Sequence, residues 1–194
     1  RIICALDFEE PEAALRMVEK LSGLISFYKV GMLLYLSGGG ELVHRLAGMG
    51  HRVFLDLKFY DVPDTVAAAV RRAATLGAAF LTVHGNREIL QRAGEAAAGT
   101  SLQVLGVTVL TSLDRADIEG LGFPCSVEEL VLQRTRWALE SGCAGVVASP
   151  REAALLRQKL GRDLLLVTPG IRPAGSAMGT HKRAATPQEA LRAG

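Results

Sequence analysis

Aromatic residues, cysteines and an excess of one charge sign are all scarce in this sequence. Only 5% of the 194 residues are aromatic, and the three cysteines, Cys4, Cys125 and Cys143, have no Cys-x-x-Cys spacing. An odd number of cysteines at such spacings argues against a disulfide framework and a zinc site, and favours a reducing cytoplasm. The 22 basic and 20 acidic residues leave a net charge of +2. A charge balance this even gives no reason to expect nucleic acid or a membrane surface as a partner.

Long apolar runs are also missing. No stretch approaches the ~20 residues that cross a bilayer, and none has the layout of a signal peptide. Hydrophobic residues nevertheless make up 49% of the chain, which is enough for a buried core and excludes a disordered protein. At this length we expect a single domain over residues 1–194. The chain begins at Arg1 and stops at Gly194 in a helical pattern, and we expect both ends to be trimmed.

Short apolar runs alternate with longer amphipathic stretches along the chain. The runs lack strict alternation, which is typical of parallel strands covered on both faces. Because no run of strands is segregated, the pattern predicts an α/β fold on a parallel sheet. Glycines collect at predicted turns, with one cluster at residues 38–40. The predicted strands are 2–6, 27–30, 52–57, 80–84, 103–109, 145–148 and 164–168, and the predicted helices are 11–21, 41–47, 65–76, 88–98, 126–140, 150–160 and 187–193.

Charged residues at the strand ends help to choose between two architectures, a (β/α)₈ barrel and an open doubly wound sheet. Asp7 ends the first strand, Lys29 lies in the second, and Asp56 and Lys58 end the third. TIM barrels build their active sites at the carboxyl ends of many strands, so these positions favour the TIM (β/α)₈ barrel. The pattern supplies seven strands, and we expect the eighth strand to be missing from a C-terminally incomplete chain.

The densest charge cluster begins at the end of the third predicted strand. Side chains two positions apart on a strand share a face, so Asp56 and Lys58 point the same way. Asp61 follows in the loop, where Pro63 keeps the preceding residue extended. An acid and a base side by side suit catalysis, but a self-neutralising ion pair would give the same pattern.

Six segments spread over almost the whole chain share the motifs of one family. They are residues 4–7, 28–31, 54–65, 82–84, 107–112 and 168–173. A bare Asp-x-Lys-x-x-Asp also occurs in related phosphosugar enzymes. Its continuation into x-Pro-x-Thr, with Lys-Val-Gly upstream and Pro-Gly-Ile-Arg downstream, is far more specific. In these segments the sequence resembles the orotidine 5′-monophosphate decarboxylase family.

The resemblance implies a metal-free and cofactor-free decarboxylation of orotidine 5′-monophosphate to uridine 5′-monophosphate, the last step of pyrimidine nucleotide synthesis. It places Lys29, Asp56 and Lys58 around the reacting carbon within one subunit. Asp61 matches an aspartate that reaches the neighbouring subunit's site, which implies a homodimer. The C6 carbanion left by carbon dioxide needs a cation and a proton, and Lys58 is the candidate for both tasks.

The same resemblance implies a set of substrate-binding residues. Asp7 would hold the ribose hydroxyls beside Lys29, and Thr65 would help from the partner subunit. Thr111 would lie near the base, and Arg172 would bind the phosphate through its forked donors.

The end of the chain departs from the family pattern. The polar stretch 173–183 is similar to the family's closing loop, but His181 stands where the family usually has a glutamine that bridges base and phosphate. We expect His181 to donate a hydrogen bond there. The missing eighth strand would also carry the family's second phosphate-binding arginine.

Two other functions remain open from the sequence. A magnesium-dependent phosphosugar synthase or decarboxylase shares Asp-x-Lys-x-x-Asp, but it lacks the x-Pro-x-Thr continuation. A non-catalytic nucleotide-binding barrel would fit the missing strand and the altered loop. The intact array of Lys29, Asp56, Lys58 and Asp61 argues against it, since binding alone has no use for these charges.

Overall fold

A computed structural model of the chain describes residues 2–173, 175 and 185–194. In this part of the chain, seven strands alternate with helices. The strands are β1 (Cys4–Ala5), β2 (Phe27–Gly31), β3 (Arg52–Phe59), β4 (Phe80–His84), β5 (Gln103–Val107), β6 (Gly145–Val147) and β7 (Leu165–Val167). The helices are α1 (Pro11–Lys20), α2 (Met32–Leu34), α3 (Gly40–Gly48), α4 (Pro63–Thr75), α5 (Arg87–Ala97), α6 (Arg115–Gly120), α7 (Val127–Glu140), α8 (Pro150–Leu160) and α9 (Pro187–Ala193).

These residues form two compact units. The first runs to Val83 and includes Arg92–Val104, and the second comprises His84–Gln91 and Leu105–Gly194. In the first unit β1, β2, β3 and β4 pair in parallel in that order. In the second unit β5, β6 and β7 do the same. The predicted parallel α/β fold is therefore confirmed, and the described residues contain no eighth strand.

The apolar runs of the sequence become the cores of the two units. In the first unit the largest fully buried side chains include Tyr28, Leu55 and Leu81, all on strands. Helix α1 covers this core with one face, from which Ala14 and Val18 are buried. The second unit has its own core, built around residues such as Leu105, Leu130 and Leu156. Burial of strands and of one helix face explains why the strands show no strict alternation.

The glycine cluster at 38–40 does not form the simple turn that the sequence predicted. Helix α2 continues through a π-helical turn, Tyr35–Gly39, into α3. The chain bends within that turn at Gly38, whose φ of 114° is readily adopted only by glycine. The cluster therefore kinks a helical segment instead of ending one.

Two helices were not predicted. Helix α2 comprises only three residues and belongs to an apolar run with exposed Met32 and Leu33, which has no polar face to reveal a helix. Helix α6 is also short, although Asp114 and Asp117 form a capping box at its start. Among the described residues, no helix is long and apolar enough to cross a membrane.

Candidate active site

Four charged side chains meet at the carboxyl ends of β1, β2 and β3. Lys29 Nζ lies 3.0 Å from Asp7 Oδ1 and 3.9 Å from Asp56 Oδ2. Lys58 Nζ lies 2.8 Å from Asp56 Oδ1. Parallel pairing sets this order, because Lys29 is opposite Ala5 on β1 and Gly31 is opposite Asp56 on β3. The result is a charge chain in which acids and bases alternate: Asp7, Lys29, Asp56, Lys58.

The charge chain is most buried at its centre. The Asp56 side chain is 16% exposed, and the flanking Lys29 and Lys58 are 21% and 34% exposed. Asp7 lies at the rim with 72% of its side chain exposed. Two carboxylates and two ammonium groups neutralise each other, which offsets the cost of removing them from water. The cluster therefore has no net charge, although each of its four side chains is charged.

A cavity of about 290 Å³ opens onto the charge chain, and all four charged side chains line it. Leu6 and the segment 31–34 supply its apolar lining. An apolar cleft with a few converging polar groups is the usual form of a small-molecule site. The cavity therefore presents both ammonium groups and both carboxylates to whatever it binds.

The backbone of Lys58 is unusual. Its φ is 48°, and among the described residues it is the only non-glycine residue with a positive φ. The ladder between β3 and β4 is irregular there: Leu55 is opposite Leu81, yet Phe59 is opposite Val83. Strained backbone of this kind clusters at functional sites. The side chains of Asp56 and Lys58 contact each other, as predicted. The backbone between them is bulged, however, and does not follow the regular alternation that the sequence predicted.

One residue of this site was given no role from the sequence. Thr82 on β4 is fully buried, and its hydroxyl lies 2.9 Å from the backbone nitrogen of Lys58 and 3.0 Å from Asp56 Oδ1. A polar residue inside an otherwise apolar strand needs a partner when it is buried. A threonine inside this apolar strand was therefore the signal in the sequence that could have identified Thr82.

Asp61 and Thr65 lie outside the charge chain. Asp61 is exposed in the loop after β3, and its carboxylate accepts a hydrogen bond of 2.6 Å from the Val62 N–H. Within the described part of the chain it forms no ion pair. Thr65 is exposed near the start of α4. Both side chains are therefore free of the protein interior.

Thr111 and Arg172 belong to the second unit. Thr111 follows β5 and is 8% exposed. Arg172 is exposed, and its Nη1 donates a hydrogen bond of 2.9 Å to the carbonyl of Ile171. His181 and most of the predicted closing loop lie outside the described residues.

Cys4 lies on β1 beside the charge chain. Burial, and secondly the negative charge of Asp7, raise the pKa of its thiol. A raised pKa keeps the thiol protonated and makes it a poor nucleophile. Among the described residues, no group of three or more His, Cys, Asp or Glu side chains could hold a metal ion.

The fold and the site together define a class of protein. Parallel strands that alternate with helices and carry charged residues at their carboxyl ends are the arrangement of (β/α)₈-barrel enzymes. The model of one such family, described as "Orotidine 5'-phosphate decarboxylase / HUMPS family", matches residues 1–194. The chain belongs to this family, as its sequence motifs predicted, and the predicted TIM-barrel class is confirmed.

Individual relatives agree with the family match. Orotidine 5'-phosphate decarboxylases of Nitrobacter winogradskyi and Afipia carboxidovorans are 51% and 47% identical over the whole chain, which spans 81% and 83% of their lengths. The solved orotidine 5'-phosphate decarboxylase of Lactobacillus acidophilus is 34% identical with a TM-score of 0.82, covering 100% of this chain and 86% of that one. An uncharacterized conserved protein of Geobacillus kaustophilus is also 34% identical, with a TM-score of 0.85, covering 99% of this chain and 86% of that one.

Proposed function

We propose that the protein is a carboxy-lyase that converts orotidine 5′-monophosphate to uridine 5′-monophosphate, with the charge chain as its reaction centre. The observation that carries the proposal is Lys58 Nζ at 2.8 Å from Asp56, with both side chains lining one cavity. Family membership and relatives of about half-identical sequence support the same reaction.

The difficulty of this reaction lies in the charge that it creates. Breaking the bond between C6 and the carboxylate leaves its electron pair on C6, where no adjacent carbonyl delocalises it. A cation fixed about 4 Å away, at an effective dielectric of about 20, stabilises such a charge by about 4 kcal/mol. That energy corresponds to about a thousandfold in rate. Lys58 is held in place by Asp56 before substrate binds, so little reorganisation is needed.

Asp56 gives the site a negative charge as well as a positive one. Its Oδ1 accepts from Lys58 and its Oδ2 faces Lys29 at 3.9 Å, so both oxygens lie against cations. In the proposed complex Asp56 faces the substrate carboxylate, and the two like charges repel each other. Departure of carbon dioxide relieves that repulsion. The flanking lysines form ion pairs with both oxygens of Asp56 and hold its carboxylate in place.

Lys58 completes the reaction as general acid. The carbanion takes a proton from Nζ to form the C6–H bond of uridine monophosphate, and the neutral amine then regains a proton from solvent. General acid catalysis of this kind contributes about 10²- to 10⁴-fold. Asp56, which is itself in contact with Lys29, keeps the donor aligned through this step.

The resemblance implies further residues for the remaining substrate contacts. At the rim of the first unit, Asp7 is exposed and bonded to Lys29, so its carboxylate has room to accept bonds from the ribose hydroxyls. In the second unit the exposed guanidinium of Arg172 suits the phosphate dianion, and Thr111 would contact the base. His181 would take the place of the family's bridging glutamine.

A second copy of the chain supplies the rest of the proposed site. Exposed Asp61 and Thr65 would reach into the partner's cavity, giving a homodimer with two shared sites. Tyr60 and Val62, beside Asp61, are 71% and 63% exposed and offer apolar surface for that contact. We also propose a cytoplasmic location, because three cysteines without a disulfide suit a reducing compartment. We further propose one domain for the whole chain, because the family model matches residues 1–194.

The test is the loss of ultraviolet absorbance when the purified protein is mixed with orotidine monophosphate, before and after exhaustive chelation. We expect continuous turnover at the same rate in both samples. Absence of turnover, together with magnesium-dependent activity on a phosphosugar, would favour a metal-dependent phosphosugar enzyme of the same family. Tight binding of uridine monophosphate without any turnover would favour a non-catalytic barrel, and either result would refute the proposal.

A further inference from the structure

Thr82 connects the two central residues of the charge chain. Its hydroxyl has one hydrogen, so its two contacts have defined directions. The N–H of Lys58 donates to Thr82 Oγ1 at 2.9 Å, and Thr82 Oγ1 donates to Asp56 Oδ1 at 3.0 Å. One side chain thus binds the backbone of one charged residue and the carboxylate of the other.

The bulge in β3 explains why a side chain is needed at this point. Between Leu55 and Phe59, β3 carries more residues than the stretch of β4 from Leu81 to Val83 that pairs with it. A bulge leaves backbone groups without their ladder partners, and a buried N–H without a partner is costly. Thr82 lies on β4 opposite this bulge, and its hydroxyl takes the place of the missing carbonyl for the N–H of Lys58.

The same hydroxyl fixes the rotation of the Asp56 carboxylate. Oδ1 receives bonds from Thr82 and from Lys58 Nζ, which leaves Oδ2 facing Lys29. A carboxylate held by Lys58 alone could follow the movements of that flexible side chain. Because Thr82 is fully buried on a strand, its side chain has little freedom to move and holds both groups in place.

We propose that Thr82 is a positioning residue for the reaction, acting through Asp56 and Lys58 without touching substrate. The inference rests on the proposed decarboxylation. Thr82 holds Lys58 in its strained backbone conformation, φ 48°, and aligns the ammonium group with the reacting carbon. Its loss should therefore lower kcat more than it changes substrate or product affinity.

The test compares Thr82→Val with Thr82→Ser. Valine keeps the shape and removes the hydroxyl, whereas serine keeps the hydroxyl and removes a methyl group. A matched control is Thr135→Val, because Thr135 is equally buried but its hydroxyl bonds to the Val131 carbonyl of its own helix. We expect Thr82→Val to lose about 10- to 100-fold in kcat. Its KM and its Kd for uridine monophosphate should change less than about threefold.

Thr82→Ser should restore kcat to within about threefold of the wild type, and Thr135→Val should leave it unchanged. A Thr82→Val enzyme with wild-type kcat would overturn the inference and leave the proposed function standing. Equal losses in kcat and in product affinity would also overturn it, because they indicate a general loosening of the site. An inactive wild type would refute the proposed function and the inference with it.

Amide hydrogen exchange gives a readout that does not depend on turnover. In Thr82→Val the N–H of Lys58 loses its acceptor, so its exchange should accelerate while the amides of Val53 and Leu55 on the same strand keep their protection. Unchanged protection at Lys58 would contradict the inference. If Thr82→Val does not fold, Thr82→Ser and Thr82→Ala differ only in the hydroxyl and permit the same comparison.

Discussion

Replacing Lys58 by methionine removes the ammonium group and keeps most of the side chain's length. The loss has two parts. The missing cation costs about 4 kcal/mol of carbanion stabilisation at 4 Å and a dielectric of about 20, which is about a thousandfold. The missing proton donor costs about a further hundredfold or more. We therefore expect kcat to fall by at least about 10⁵-fold.

The structure indicates that the Lys58→Met protein should still fold and bind product. Asp56 keeps the Thr82 hydroxyl at 3.0 Å and Lys29 at 3.9 Å, so its carboxylate is not left without partners. Because the lysine acts mainly in the transition state, affinity for uridine monophosphate should change less than about tenfold.

The assay follows orotidine monophosphate by ultraviolet absorbance and product affinity by titration calorimetry. Lys20→Met is the matched control, since Lys20 is exposed at the end of α1, away from the charge chain, and its loss should leave kcat unchanged. A Lys58→Met enzyme that retains more than about one hundredth of wild-type kcat would refute the role of Lys58 as both cation and proton donor.

Two further predictions concern the subunit contact and a buried thiol. Mixing Asp61→Ala subunits with Lys58→Ala subunits should recover about one working site in each mixed dimer, seen as regained turnover; no recovery would mean that Asp61 acts within its own subunit. Burial raises the pKa of Cys143 to about 12, so its thiol stays protonated at mildly alkaline pH. A thiol reagent at about pH 8 should therefore modify Cys143 only after denaturation, whereas native modification as fast as that of Cys125, counted by mass spectrometry, would contradict this.

The sequence predicted the strands well, because parallel strands leave continuous apolar runs. The run Phe80–His84 was predicted with the bounds that the structure shows. The end of β3 was harder: it extends to Phe59, past the predicted end at 57, since the bulge lets charged residues remain within the strand. Pairing with β4 decides where that strand ends, and residue type alone does not reveal it.

The sequence predicted which residues form the charge chain but not how the backbone brings them together. Strand-end charges and the motif pointed to Lys29, Asp56 and Lys58, and the structure brings them together with Asp7. A lysine carries no signal for a positive φ, which glycine or asparagine would have suggested. The role of Thr82 depends on the register between two strands, which is a tertiary property.

The predicted roles of Asp61 and Thr65 depend on the family resemblance alone. Both are exposed, and the Asp61 carboxylate accepts a hydrogen bond from the N–H of the adjacent Val62. The family resemblance predicts that a partner subunit uses them, and their exposure is compatible with that prediction. A mixed-dimer experiment is therefore the appropriate test for these residues.

In the proposed reaction, Lys58 delivers the proton to C6 within the charge chain. A crystal structure of the protein with bound uridine monophosphate tests it most directly, through the distance between Lys58 Nζ and C6 of the base. We predict a separation of about 3 Å, with Asp56 beside C6 and Asp7 at the ribose hydroxyls. A base bound with C6 beyond the reach of Lys58, and with another group at that position, would contradict the account.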